Sequence, residues 1–174
     1  MTYFLPISMG RLTAVMAANS VIWSFFNPAS SGTNLRIKRV SFTIGYDGVS
    51  TPESSHFQLV RFSGAALSGG TTLVPAKANS KQRVSVVPTM RQSPSTPLVT
   101  TGAVIEATPL MSTQNQRDTA ATTSEVQVWG TSDDGPVINP GEGLCLRIVL
   151  ASVIGDYLSG MVSYLEEPLR SWNI

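Results

Sequence analysis

The sequence predicts one all-β domain, a β-sandwich of about eight antiparallel strands wound in the manner of a jelly roll, with an N-terminal arm. Three observations carry that expectation. Apolar and polar residues alternate with period two along most of the chain. Turn residues interrupt the alternation at roughly regular intervals, and no long stretch carries a strong helical period. The 174 residues suit one domain, which at this size hides roughly 70% of its unfolded surface and folds without disulfides or metals. The expected division is 1–19 as arm or edge strand, 20–167 as sandwich and 168–174 as tail.

The start is ambiguous. Leu12, Val15, Met16 and Ala18 lie about a helical turn apart, yet Val21 to Phe26 is rich in β-branched and aromatic residues and stops at Asn27-Pro28. Val21 to Phe26 is therefore read as a strand, and Leu12 to Ala17 as a strand or an extended arm. From Val40 to Tyr46 the even positions are apolar, whereas Leu35 and Ile37 are odd. The parity slips near Lys38-Arg39, as it does at a β-bulge. Asp47-Gly48 makes a turn. His56 to Phe62 follows, with Phe57 and Leu59 on one face and Val60 and Phe62 on the other, so it is expected to lie between layers or against a partner.

Ser68-Gly69-Gly70 is a turn, and Arg83 to Val87 is a short strand. Prolines 88, 94 and 97 mark a long surface loop, because proline cannot donate to a ladder. Ala103 to Ala107 is a weaker strand, and Ser112 to Thr123 a polar connection. Glu125 to Trp129 alternates again, and Asp133-Asp134-Gly135 reads as a hairpin turn. Asn139-Pro140-Gly141-Glu142-Gly143 is a second tight turn, leading into Leu144, Leu146, Ile148 and Leu150 on one face. The last strand is expected from about Leu158 to Glu166.

Composition narrows the function. Charged residues are 13% of the chain, about half the usual share of roughly 25%, and Ser and Thr fill the gap. Twelve basic and eleven acidic residues leave a net charge of +1, which opposes tight binding to nucleic acid. The densest basic cluster, Arg36-Ile37-Lys38-Arg39, reads as a solvated strand face. Low charge favours burial in an assembly, since interface centres are poor in charge. Met1 to Gly10 has no secretory pattern, and no apolar run reaches the roughly 18 residues that cross a bilayer. Synthesis and folding in a cytosol are expected.

The residues offer little chemistry. His56 is the only histidine, and Ser54 and Ser55 beside it are too close in sequence to complete a triad. Asp133-Asp134 is first a turn signal, conceivable as part of a calcium site but without EF-hand spacing. Glu166-Glu167 reads as a solvated strand end. Cys145, the only cysteine, lies opposite the Leu/Ile face of its strand and reads as a packed or half-exposed thiol. Trp23 and Trp129 are expected in the core. Trp172, next to Ser171 and near Arg170, is a candidate for docking on another chain or for folding back on its own. No catalytic, cofactor-binding or metal-binding residue is assigned.

Ile22-Trp23-Ser24-Phe25-Phe26-Asn27-Pro28, then Leu35-Arg36-Ile37-Lys38-Arg39-Val40, then Phe57-Gln58-Leu59-Val60-Arg61-Phe62-Ser63-Gly64 resemble small structural proteins of tailed bacteriophages. So do Ile138-Asn139-Pro140-Gly141-Glu142-Gly143-Leu144 and Ile154-Gly155-Asp156-Tyr157-Leu158-Ser159-Gly160. The resemblance spans most of 20–166, omits 112–123, and rests on turn-and-strand signatures. It implies a β-sandwich on the capsid surface of a virion, often a homotrimer, acting as a decoration or cement protein whose partner is the major capsid protein. Residues 1–19 would then be the clamp. The alternatives are a receptor- or carbohydrate-binding module of a tail or head fibre, which requires an exposed aromatic patch, and a hydrolase dependent on His56.

Overall fold

A computed structural model describes residues 2–9, 17, 20–45, 54–83, 85, 88–92, 108–116, 124–129, 135–148 and 157–169. Two antiparallel sheets face each other across one core. The first contains β1 (Thr2–Met9), β3 (Thr33–Gly45), β6 (Ala76–Lys77), β9 (Ser124–Trp129), β10 (Val137–Ile138) and β12 (Tyr157–Pro168). The second contains β2 (Val21–Phe26), β4 (Ser54–Ser63), β5 (Thr71–Thr72), β7 (Thr89–Gln92), β8 (Thr108–Gln116) and β11 (Glu142–Ile148).

The pairing follows a simple rule. The first half of the chain pairs with the second half in reverse order: β1 with β12, β2 with β11, β3 with β9 and β4 with β8. Two further pairings, β12 with β3 and β11 with β4, roll this long hairpin into sheets ordered β9-β3-β12-β1 and β2-β11-β4-β8. Eight principal strands wound in this way form a jelly roll. The hairpin tip, between β4 and β8, contains the short strands β5, β6 and β7.

The alternation seen in the sequence places the core. Trp23, Phe25, Leu59, Leu144, Leu146 and Ile148 of the second sheet meet Tyr3, Leu5, Val40, Phe42, Val162 and Tyr164 of the first. Fully burying each large apolar side chain stabilises the fold by roughly 1.5–3 kcal/mol. The parity slip in β3 is a bulge. Against β12 the register steps from Arg39 opposite Ser163 to Ile37 opposite Tyr164, so Lys38 is the extra residue. The step turns Leu35 and Ile37 to the same face as Val40 and Phe42, and all four are buried.

β4 is apolar on both faces because the second sheet carries a second cluster on its outer side. Val21, Phe26, Val60, Phe62 and Cys145 are buried there with Leu67, and Ala66 packs against them. Residues 66–67 follow β4 directly, so this chain supplies part of its own cover.

Of the two readings of the first residues, arm or edge strand, residues 2–9 take the second: β1 is hydrogen-bonded to β12 along its whole length, with Tyr3 and Leu5 in the core. Three expectations are corrected. Ser112 to Gln116 belongs to β8, paired with β4 over Ser54 to Gln58. A polar run can form an edge strand, because only backbone groups enter the ladder. Thr89–Gln92 is a strand inside the expected proline loop, and its one core residue, Met90, is too short a signal to read as alternation. Arg83 and Ser85, expected in a strand, lie outside any.

β9 and β10 do not pair with each other: both run antiparallel along β3, one beyond the other. A Cβ on Gly135 would lie 1.8 Å from the Ile37 carbonyl oxygen, so the backbone returns to β3 where only glycine fits. Asp133, Asp134, Ala103 to Ala107, Leu12 to Met16, Leu150 and Trp172 lie outside the described residues.

Candidate functional site

Two polar clusters are assembled from distant segments. The first lies at the β1 side of the sandwich. Alternation along β12 turns Val162, Tyr164 and Glu166 inward and Glu167 outward. The Tyr164 ring stacks on Tyr3 with centroids 5.4 Å apart and meets the edge of Phe25 at 5.0 Å. Its hydroxyl donates to Ser85 Oγ at 2.8 Å, and Ser85 Oγ donates to Glu166 Oε1. Arg83 Nη2 donates to Glu166 Oε2 at 3.3 Å. The Glu166 side chain is 5% exposed and that of Arg83 is 71% exposed. Burial raises the Tyr164 hydroxyl well above the usual tyrosine range; the Ser85 hydrogen bond opposes that shift and the Glu166 charge adds to it. Gln82 Nε2 donates to the Thr2 carbonyl at 2.8 Å, tying the same segment to β1.

The second cluster is the corner where β2 turns into β3 and β10 into β11. Asn27 is buried. Its Nδ2 donates to the Thr33 carbonyl at 2.8 Å and the Ile138 carbonyl at 3.0 Å. Its backbone exchanges bonds with the facing turn, donating to the Glu142 carbonyl at 2.9 Å and accepting from Gly141 at 2.8 Å. Gly141 has φ of 85°, which suits glycine in this turn. Arg61 pairs with Glu142 and also donates to the Val137 carbonyl at 3.0 Å. Glu142 Oε2 accepts from the Asn139 amide at 2.7 Å.

These clusters bind the chain to itself. Ser85 is buried and engaged on both sides, so its hydroxyl offers no open nucleophile. Glu166 and Glu167 face opposite ways and cannot act on one bond. Glu166 is a buried carboxylate rather than a solvated strand end, whereas Glu167 pairs with Arg36 at 2.7 Å. His56 stands opposite Gln114 in the β4–β8 ladder. Cys145 is buried, and burial pushes its thiol up to about 12 from 9.0, against the lowering pull of Arg147. Trp23 is in the core as expected. Among the described residues no three His, Cys, Asp or Glu side chains group as a metal site, and no helix is long and apolar enough to cross a membrane.

Sequence reasoning had no hold on Ser85 or on the binding role of Asn27. Tyr164 carried a signal: a buried tyrosine needs a partner for its hydroxyl. The partner is 79 residues away, where no local pattern points. No protein-family model matches the chain, and no curated protein matches it.

Proposed function

We propose that this chain is a virion structural protein without catalytic activity, a decoration or cement protein on the capsid surface that binds the major capsid protein. The observation carrying the proposal is the jelly-roll winding, an architecture used in viral capsids, formed from the turn-and-strand segments that resemble phage structural proteins. Asn27-Pro28 and Asn139-Pro140-Gly141-Glu142, both within that resemblance, meet at one corner. A fold alone does not assign a function, so the proposal rests on fold and resemblance together. The described polar clusters supporting it are spent on the fold itself.

The mechanism is mass action. A protein that binds the closed shell and not the open one stabilises it by about 2.7 kcal/mol per site at a hundredfold excess over Kd. Trimers on three-fold positions would add avidity. Because β1 is a core strand, deleting residues 1–19 would test folding rather than a clamp. The test is addition of the intact protein to empty shells of its cognate major capsid protein. Co-sedimentation and a higher shell-opening temperature are expected. Shells that bind none of it overturn the proposal. The fibre-module alternative needs an exposed aromatic patch, and the large exposed hydrophobics among the described residues are Val74 and Leu169, neither of them aromatic.

A further inference from the structure

Charge is divided unevenly along this chain. From Ser54 to Ile105 there are five basic residues, Arg61, Lys77, Lys81, Arg83 and Arg91, and no acidic one. The other seven basic residues share the rest of the chain with all eleven acidic ones, so the net charge of +1 conceals a basic segment set into an acidic remainder. Two of the five cations are engaged within the fold: Arg61 pairs with Glu142, and Arg91 Nη1 donates to Thr72 Oγ1 at 2.7 Å. The other three come together at one corner, where β1 begins and β12 ends. β6 sets Lys77 opposite Tyr3, Gln82 next to Lys81 donates to the Thr2 carbonyl, and Arg83 meets Glu166. Lys77 and Lys81 are exposed, and among the described residues no acidic side chain pairs with either. Arg83 reaches Glu166 with its own side chain 71% exposed. A built turn presents these cations: the Lys81 amide donates to Asn79 Oδ1 and the Gln82 amide to the Asn79 carbonyl, both at 3.0 Å. Three residues before Lys77 stands Val74, 70% exposed, and Ala76 and Ala78 are exposed beside the lysine.

We infer that residues 74–83 are the face by which this chain docks, and that they meet an acidic surface of the major capsid protein. Lys77, Lys81 and Arg83 face its carboxylates, and Val74 is buried at the contact. The inference rests on the shell-binding proposal and gives it a surface. Charge complementarity sets the sign of the partner. The mixture of groups sets its class, because an apolar contact with a polar, charged margin is how protein interfaces are built. Nucleic acid fits less well: three cations neutralise few phosphates, and no aromatic residue stands between Phe62 and Trp129 to stack on bases. The turn at Asn79 also favours docking, since a preordered segment loses less freedom on binding than a loose one.

The test is co-sedimentation of the full chain with empty shells of its cognate major capsid protein over a salt series. Wild type is compared with Lys77→Glu combined with Lys81→Glu and, separately, with Val74→Ser. All three side chains are exposed, so circular dichroism is expected to show an unchanged fold. The double charge reversal is expected to weaken shell binding by about tenfold or more at low salt, and by less at high salt, where exposed charges are screened. Val74→Ser is expected to weaken it by about fivefold at every salt concentration, because the lost contact is apolar. Wild-type binding that neither variant alters overturns this inference and leaves the shell proposal standing. Shells that bind no wild-type protein overturn both. Wild-type protein that binds a single-stranded DNA more tightly than shells, and loses that binding on charge reversal, overturns the acidic protein partner in favour of nucleic acid.

Discussion

Replacing Asn27 tests how the corner between the sheets is held. The side chain is buried, and its Nδ2 donates to Thr33 and Ile138 carbonyls at 2.8 and 3.0 Å. Two carbonyl acceptors on one atom fix the amide orientation, since the flipped form would oppose oxygen to oxygen. Asn27→Ala removes both bonds. Thr33 keeps a bond from Ser31 Oγ at 3.1 Å, so the larger loss is at Ile138. Two net bonds of about 1 kcal/mol each, plus part of the cost of a bereft carbonyl, give roughly 2–3 kcal/mol. For a domain of this size that lowers Tm by roughly 4–12 °C, read by circular dichroism and checked by urea titration. Asn27→Asp adds a test of sign. A buried carboxylate facing two carbonyls has its folded pKa raised above the unfolded value of about 3.9, so the variant is most stable below that value. Its deficit grows as pH rises, until the folded pKa is passed. An Ala variant within about 0.5 kcal/mol of wild type, the range of ordinary surface changes, would refute the corner argument. So would an Asp variant whose deficit is flat with pH.

Gly143→Ala would place a Cβ 2.3 Å from Phe62 Cζ and 2.8 Å from the Phe25 carbonyl oxygen. Backbone cannot yield as a side chain can, so a loss at or above the upper end of roughly 1–3 kcal/mol is expected in urea, and near-wild-type stability would contradict it. The Cys145 thiol, pushed up to about 12 by burial, is expected to resist a thiol reagent at mildly alkaline pH until the protein unfolds. Rapid labelling of native protein would show an accessible thiol instead. Cys145 and Tyr164 both have raised folded pKa values. Their contribution is full below the unfolded values of 9.0 and 10.0 and is lost as pH rises through the folded ones. Cys145→Ala and Tyr164→Phe should each flatten the alkaline fall in stability, measured as urea midpoint against pH, and an unchanged slope in both would count against burial as its source.

The strands of the sandwich were legible because alternation is local. A half-buried strand writes its inward face into every second residue, and this located β2 to the residue and the cores of β3, β4, β9, β11 and β12 closely. The bulge at Lys38 was legible for the same reason: one extra residue reverses the parity. β7 and the end of β8 were not. One offers a single buried side chain, and the other a polar run whose place depends on the β4 backbone beside it.

What the sequence by itself determined was the all-β class, the faces of the main strands and the turn at Asn139-Pro140-Gly141. The tertiary structure alone decided which strands pair, which of the two readings of residues 2–9, arm or strand, holds, and that Glu166 is buried while Glu167 is not. Those facts rest on contacts such as Tyr164 with Ser85, 79 residues apart, and Asn27 with Ile138, 111 apart. A side chain's face is set by its immediate neighbours, whereas its partner is set by how the long hairpin rolls, and only packing of the whole chain fixes that.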